Sequence, residues 1–304
     1  MRIQTSLGGA LGAFRCACRA FEALSPYPSS FWHGLNRQAL RVHRIACSKY
    51  RLLVFLACCF SGKISRQMFM DTFNLEPIGV IHTPYGQKFA VPRQPGLAAA
   101  VACEIELLPP YCDPQACIGL EGFSHIHVIF IFDKVEVDKF RPMIRPPRLG
   151  GNQKVGLFAS RSPFRPSRLG LSVLKLEKVE NRNGKTVLHV LGADMVDGTP
   201  ILDIKPYIPF VDALPDAVGG FALEPPKLKQ VTFTLEADAL ITKLKLDKAS
   251  LIDILAQDPR PAYKGTEDDK PYFALLMGYN IKFTVSGEIV TVLDVLPAEN
   301  ATQQ

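Results

Sequence analysis

Seven basic side chains fall between residues 141 and 168: Arg141, Arg145, Arg148, Lys154, Arg161, Arg165 and Arg168, with no Asp or Glu among them. Six of the seven are arginine, whose planar fork grips phosphate or carboxylate through two parallel hydrogen bonds and stacks on bases. Prolines at 142, 146, 147, 163 and 166 and glycines at 150, 151, 156 and 170 exclude a long helix. The spacing predicts one short strand, Val155-Gly156-Leu157-Phe158-Ala159, between two stiff basic loops. Such loops suit an anion or nucleic-acid site; structural ion pairing is the alternative.

The rest of the chain sets that stretch apart. Residues 1–70 hold ten Lys/Arg and one acid, Glu22, about +9, whereas the whole chain carries +6. The remainder is therefore slightly acidic, and the basic stretch is local. A hydrophobic content of 47% and a charged content of 21% are ordinary for a soluble globular protein. Five of the eight cysteines precede residue 60, and Cys103, Cys112 and Cys117 show no paired metal spacing, so zinc and a secreted disulfide framework are not expected. The nine apolar residues 52–60 are too few to span a bilayer. Two readings of residues 1–70 remain: an organelle transit peptide, or an extension upstream of a start at Met68 or Met70. Either way they are expected to stand outside the fold.

From residue 76 the elements are short and β-rich. Strands are predicted over 76–82, 101–108 and 125–132, the last with His125 and His127 on one face, expected to be packed and not metal-bound. Between the first two, 89–96 reads as an exposed loop. Residues 171–177 and 186–191 pair across an Asn183-Gly184 turn, and 201–205 follows as a strand. Strands at about ten-residue spacing predict a barrel or compact sheet. Glycines and prolines over 215–226 mark a linker. Beyond it a strand (231–235), one amphipathic helix (about 247–257) and a closing hairpin at Ser286-Gly287 form a small α+β appendage. There is no Gly-rich phosphate loop with Lys-Ser/Thr, no His-Glu-x-x-His and no nucleophile elbow.

Seven strings in series then carry a resemblance: IGVIHTPY, KFAVPRQPG, GLEGFSHI, RPPRLGG, GLFASRSPFRPSRLG, DMVDGTPILDIKPY and AQDPRPAY. They resemble the TsaA-like, or TrmO, family, S-adenosylmethionine-dependent tRNA methyltransferases that act on the exocyclic amine of threonylcarbamoyl-adenosine 3′ of the anticodon. The resemblance implies a mainly β fold: a donor-binding β-barrel over 71–222, a small α+β C-terminal domain over 227–300, and a homodimer. It implies S-adenosyl-L-methionine as methyl donor, the tRNA anticodon loop as partner, no metal, no membrane, and a cytoplasmic protein unless residues 1–70 address it to an organelle.

The family's donor positions fall on Pro92, Arg93, Gln94, Asp133, Lys134, Arg161, Leu171, Leu191, Gly192, Ala193 and Asp194. Arg93 or Arg161 would fork onto the donor's methionine carboxylate, and Asp194 would accept from its ribose or amino group. Asp133-Lys134 departs from the His-Gln pair of relatives, which leaves the role of that pair open. Asp194 and Asp203 are the candidate proton acceptors. Arg145, Arg148, Arg165, Arg168 and Lys205 are the candidate RNA-binding cations, and Tyr207 and Tyr263 the candidate stacking rings. A non-catalytic module that binds S-adenosylmethionine or RNA, or a small-molecule methyltransferase, is the alternative.

Overall fold

The computed structural model describes residues 74–136, 139–261 and 267–298, without the side chains of 267–269. The expectations for residues 1–70 and for Tyr263 lie outside the described residues.

Eight strands come first: β1 (Gly79–His82), β2 (Ala102–Leu107), β3 (His125–Ile131), β4 (Met143–Ile144), β5 (Val155–Gly156), β6 (Leu169–Arg182), β7 (Lys185–Leu191) and β8 (Thr199–Pro206). Six of them close into a barrel in the order β1-β2-β7-β6-β3-β8, every pairing antiparallel. The alternation of the sequence makes this possible. In β3, Ile126, Val128 and Phe130 are buried inside the barrel, while His125, His127 and Ile129 face outward and are half-buried. Ile81, Ile105, Leu174, Leu188, Val190 and Ile201 fill the same interior. Each such side chain stabilises the fold by roughly 1.5–3 kcal/mol. Closure also removes the exposed edges that an open sheet would leave. The β6–β7 hairpin turns at Asn183 and Gly184, whose φ values of 54° and 80° are what a two-residue primed turn demands.

The strand predicted over 155–159 is only two residues long. Val155 and Gly156 pair with Met143 and Ile144, and Leu157–Ala159 is a 3-10 turn that buries Leu157. The loop 89–96 is also not simply exposed. Ala90 and Pro92 are buried, and the Gly96 amide donates to the Gly192 carbonyl at 2.8 Å.

After α1 (Pro209–Asp212) and an extended segment comes a four-stranded sheet of β9 (Gln230–Phe233), β10 (Glu267–Leu276), β11 (Tyr279–Ser286) and β12 (Ile289–Pro297), in the order β10-β11-β12-β9. Two helices, not one, follow β9: α2 (Leu235–Leu244) and α3 (Lys248–Ala256). Thr234 caps α2 by accepting from the Ala237 amide, and Lys245 ends it at φ 55°. Asp247 caps α3 immediately afterwards, so two short helices lie where the sequence reading placed one. Ile241, Leu251, Ile254 and Leu255 join Phe283, Val285, Val290 and Val292 in the core. The turn after β1 seats on β10: the Gly86 amide donates to the Leu275 carbonyl, and the Met277 amide to that of Pro84.

Candidate functional site

Some sequence-predicted site residues lie within strands, Leu171 in β6 and Asp203 and Lys205 in β8, and others follow a strand end, as Gly192–Asp194 follow β7. Gly192, just past β7, has φ 75°, and a β-carbon there would lie 3.1 Å from the Gly96 α-carbon. Only glycine lets the 92–96 loop dock so closely. The Gly192 amide donates to the Val101 carbonyl at 3.0 Å, so its N–H is structural and not a ligand contact. One consequence of the docking is that Pro92-Arg93-Gln94 and Leu191–Asp194, about a hundred residues apart in sequence, meet at one end of the barrel. Arg161 joins them by donating from Nη1 to Gln94 Oε1 at 2.7 Å.

Asp194 ends this turn. Its oxygen Oδ1 accepts from Ser172 Oγ at 2.6 Å. Ser172 is 2% exposed and points into the barrel from β6. Although some of its surface reaches solvent, the Asp194 carboxyl is pushed up to about 6 by burial, against the lowering effect of Ser172 and the nearby Arg161 charge. Beneath it the Tyr85 hydroxyl is fully buried and bonded to no described group; burial first, then the Cys103 and Asp194 charges, holds its ionisation far above the usual range. Burial likewise pushes the Cys103 thiol up to about 12.

Asp133 and Lys134 are exposed in the turn after β3. Lys134 Nζ donates to the Asp197 carbonyl, and Lys88 Nζ donates to the Lys134 carbonyl, so this pair ties the β3 end to the Asp194–Asp197 turn.

The two candidate proton acceptors are not together. Leu171 is 57% exposed and points outward from β6, next to inward Ser172. Leu171 pairs in register with Ile129, and Ile129 with Asp203, so Asp203 shares the outer face with Leu171. There Asp203 pairs with Lys205 at 2.9 Å. Asp194 is bonded to the inner face.

Further along that outer face, Tyr207 lies against His125 and His127, with ring centroids 6.2 and 5.4 Å apart. His127 Nε2 is 3.1 Å from Asp212 Oδ2, and the Ile208 amide and His127 together hold the Asp212 carboxyl below its ordinary range. Neither Ser172 nor Asp212 was flagged by sequence. Ser172 carries no motif signal, and the Asp212 partnership exists only once α1 folds back on β3. Among the described residues no group of three or more His, Cys, Asp or Glu is arranged to hold a metal ion.

The basic stretch splits into two kinds. Arg165 donates to the Ser160 carbonyl at 2.7 Å and covers the Phe158 ring, and Arg168, at φ 53°, lies 3.4 Å from the Val135 carbonyl. Arg145 and Arg148 are exposed. None of the seven basic side chains forms an ion pair with a described residue, so the alternative of structural ion pairing has no support here.

The model of the tRNA-methyltransferase O N-terminal domain matches residues 80–213, and that of the TrmO C-terminal domain matches residues 226–298. The tRNA (adenine(37)-N6)-methyltransferase of Escherichia coli is 44% identical over 223 residues, which is 71% of this chain and 95% of that protein. A Pseudomonas aeruginosa protein, RcsF, provisionally named as an S-adenosylmethionine-dependent methyltransferase, is 41% identical over 74% of this chain and 98% of its own length. The crystal structure of TrmO from P. aeruginosa superposes with a TM-score of 0.62 at 34% identity, covering 75% of this chain and 99% of that one. A closed barrel with a docked 92–96 loop, two consecutive domain matches and near-full coverage of these relatives agree on one assignment: the chain belongs to the TrmO family of tRNA methyltransferases.

Proposed function

We propose that this protein methylates the exocyclic amine of threonylcarbamoyl-adenosine 3′ of the anticodon of tRNA, with S-adenosylmethionine as donor. The observation that carries this is the meeting of Gln94, Arg161 and Asp194 at the barrel end beside Gly192. Bound S-adenosylmethionine supplies a methyl on a sulfonium, transferred as its C–S bond breaks and a C–N bond forms. Arg161 is anchored by one nitrogen to a neutral acceptor, which leaves donors for a carboxylate. Leu171 offers an exposed apolar surface, and the buried Gly192-Ala193 turn fixes the wall. Asp194, raised to about 6, is ionised at neutral pH yet more basic than an ordinary carboxylate, which suits it to take the proton the amine loses. Asp203, paired with Lys205 on the outer face, fits an orienting role near the RNA better than proton transfer.

The exposed Arg145 and Arg148, with Lys205 and Tyr207, supply the phosphate contacts and a stacking ring for a single-stranded loop. The reading includes the division into a donor-binding barrel (71–222) and a small C-terminal domain (227–300). It also includes a homodimer, supported by the exposure of Phe210 at 88%, Leu214 at 72% and Val218 at 89%. A tRNA substrate places the protein in the cytoplasm, or in an organelle if residues 1–70 are a transit peptide. No helix among the described residues is long and apolar enough to cross a membrane.

Mass spectrometry of tRNA nucleosides tests the reading. Cells lacking the protein should lose the methyl on threonylcarbamoyl-adenosine, the wild-type gene should restore it, and Arg161→Ala should restore it poorly, with donor affinity down about tenfold to a hundredfold. An unchanged nucleoside profile in the deletion would overturn it.

A further inference from the structure

Arg93 does not lie where Arg161 lies. Its neighbour Gln94 meets Arg161, but the Arg93 guanidinium donates from Nη2 to the Arg260 carbonyl at 3.1 Å and lines a second concavity. This cleft has a volume of about 440 Å³ and is bounded by residues 88–93, 145–151 and 254–261. The 92–96 loop thus has the donor locus at Gln94 and the cleft at Arg93.

Besides Arg260, three cations line the cleft: Lys88, Arg93 and Arg145. None has a described carboxylate within ion-pair distance. The one acid on the wall, Asp258, is already engaged by Arg260, at 2.8 and 2.9 Å, and by Lys229 at 3.9 Å. Phe89 and Pro147 make part of the lining apolar, which strengthens the field of these cations, of which Lys88 donates to the Lys134 carbonyl and Arg93 to that of Arg260. Ala90 and Asp258, both in the lining, have φ values of 71° and 46°. Strained backbone of this kind concentrates at ligand clamps. The volume lies within the range of small-ligand pockets and well exceeds that of one phosphate.

We propose that this cleft is the acceptor-side anion pocket, holding a negative group of the RNA substrate while the neighbouring locus holds the donor. The proposal rests on the functional reading above and deepens it. It assigns Arg161 to the donor and Arg93, Arg145 and Lys88 to the acceptor. The chemistry is oxyanion recognition by paired guanidinium groups, and the anion is either a loop phosphate or the carboxylate of the threonylcarbamoyl substituent.

The test uses the full chain, anticodon stem-loops with and without the threonylcarbamoyl group, and Arg145→Gln and Arg93→Gln variants. Arg145 is exposed, so its variant keeps the fold even if the Arg93 variant does not, and Arg145→Lys checks for rescue by charge. Each Gln variant should lose about tenfold or more in stem-loop affinity while S-adenosylmethionine affinity, by calorimetry, changes less than about twofold. Loss confined to the modified stem-loop assigns the carboxylate. Equal loss on both, with the slope of log affinity against log salt flatter by about 0.7, assigns a phosphate. Unchanged affinity for both stem-loops, or an equal loss of donor affinity, overturns the cleft assignment. Wild-type protein that methylates the modified stem-loop while both variants bind it normally overturns the cleft alone; wild type that binds and methylates neither overturns the functional reading with it.

Discussion

Burial raises the Asp194 carboxyl, and the Ser172 hydrogen bond opposes that rise. In the folded protein it titrates near 6, against about 3.9 for an exposed carboxyl. Between those values the folded state holds a proton that the unfolded state has released. This group's contribution to stability therefore falls as pH rises through that window and is level above about 6. Asp194→Asn keeps an acceptor for Ser172 and abolishes that fall. Its melting temperature relative to wild type should rise from pH 4 to pH 6 and stay constant to pH 8, whereas methyl transfer should drop by an order of magnitude or more. A flat difference across that range would show that the carboxylate is not desolvated. Ser172→Ala removes a lowering influence, so the acid limb of the kcat/KM profile should move up by about one pH unit.

At the scale of elements, the barrel is a mount for loops. Strands β6 and β7 hold Ser172 and Gly192, and Gly192 in turn holds the 92–96 loop that carries Arg93 and Gln94. The weak point is the Gly192–Gly96 approach. Gly192→Ala adds a β-carbon at a φ of 75° and 3.1 Å from backbone that cannot swing aside. It should destabilise by about 1–3 kcal/mol and, with the loop serving both sites as proposed above, weaken both donor and RNA binding. Gly122→Ala, where a β-carbon would meet nothing within 4 Å, is the control and should fall within about 0.5 kcal/mol of wild type. Thermal melts together with donor calorimetry read both. Equal effects at the two positions would remove the loop-docking argument.

At the scale of the molecule, two surfaces remain without described partners. One is the Arg-rich belt, whose cations meet carbonyls, a ring or solvent instead of acids. The other is the apolar strip from Phe210 to Val218. The belt suits a polyanion, and the strip suits a second copy of the chain. Phe210→Asp should shift sedimentation from dimer towards monomer with little change in melting temperature, since Phe210 is 88% exposed and supports no core. Wild-type protein that sediments as a monomer at micromolar concentration would remove the dimer from the reading.

The sequence by itself determined the strand alternation, the Asn-Gly hairpin, the acid-free basic stretch and, through seven motif strings, the family. These are local or repeated signals, and periodicity of two in β3 or β6 dictates which side chains enter a core whatever the topology. It overread 155–159, where five apolar residues yield a two-residue strand and a turn, and it missed α2, whose Thr234 cap and Lys245 stop crowd against the start of α3. Only the tertiary structure decided which distant segments meet. Barrel closure put Asp194 against the inner face and Asp203 on the outer one, a difference set by strand register that no spacing along the chain reveals. The same folding turned adjacent Arg93 and Gln94 to different partners, the Arg260 carbonyl and the Arg161 guanidinium, because a docked, proline-stiffened loop turns successive side chains toward different neighbours.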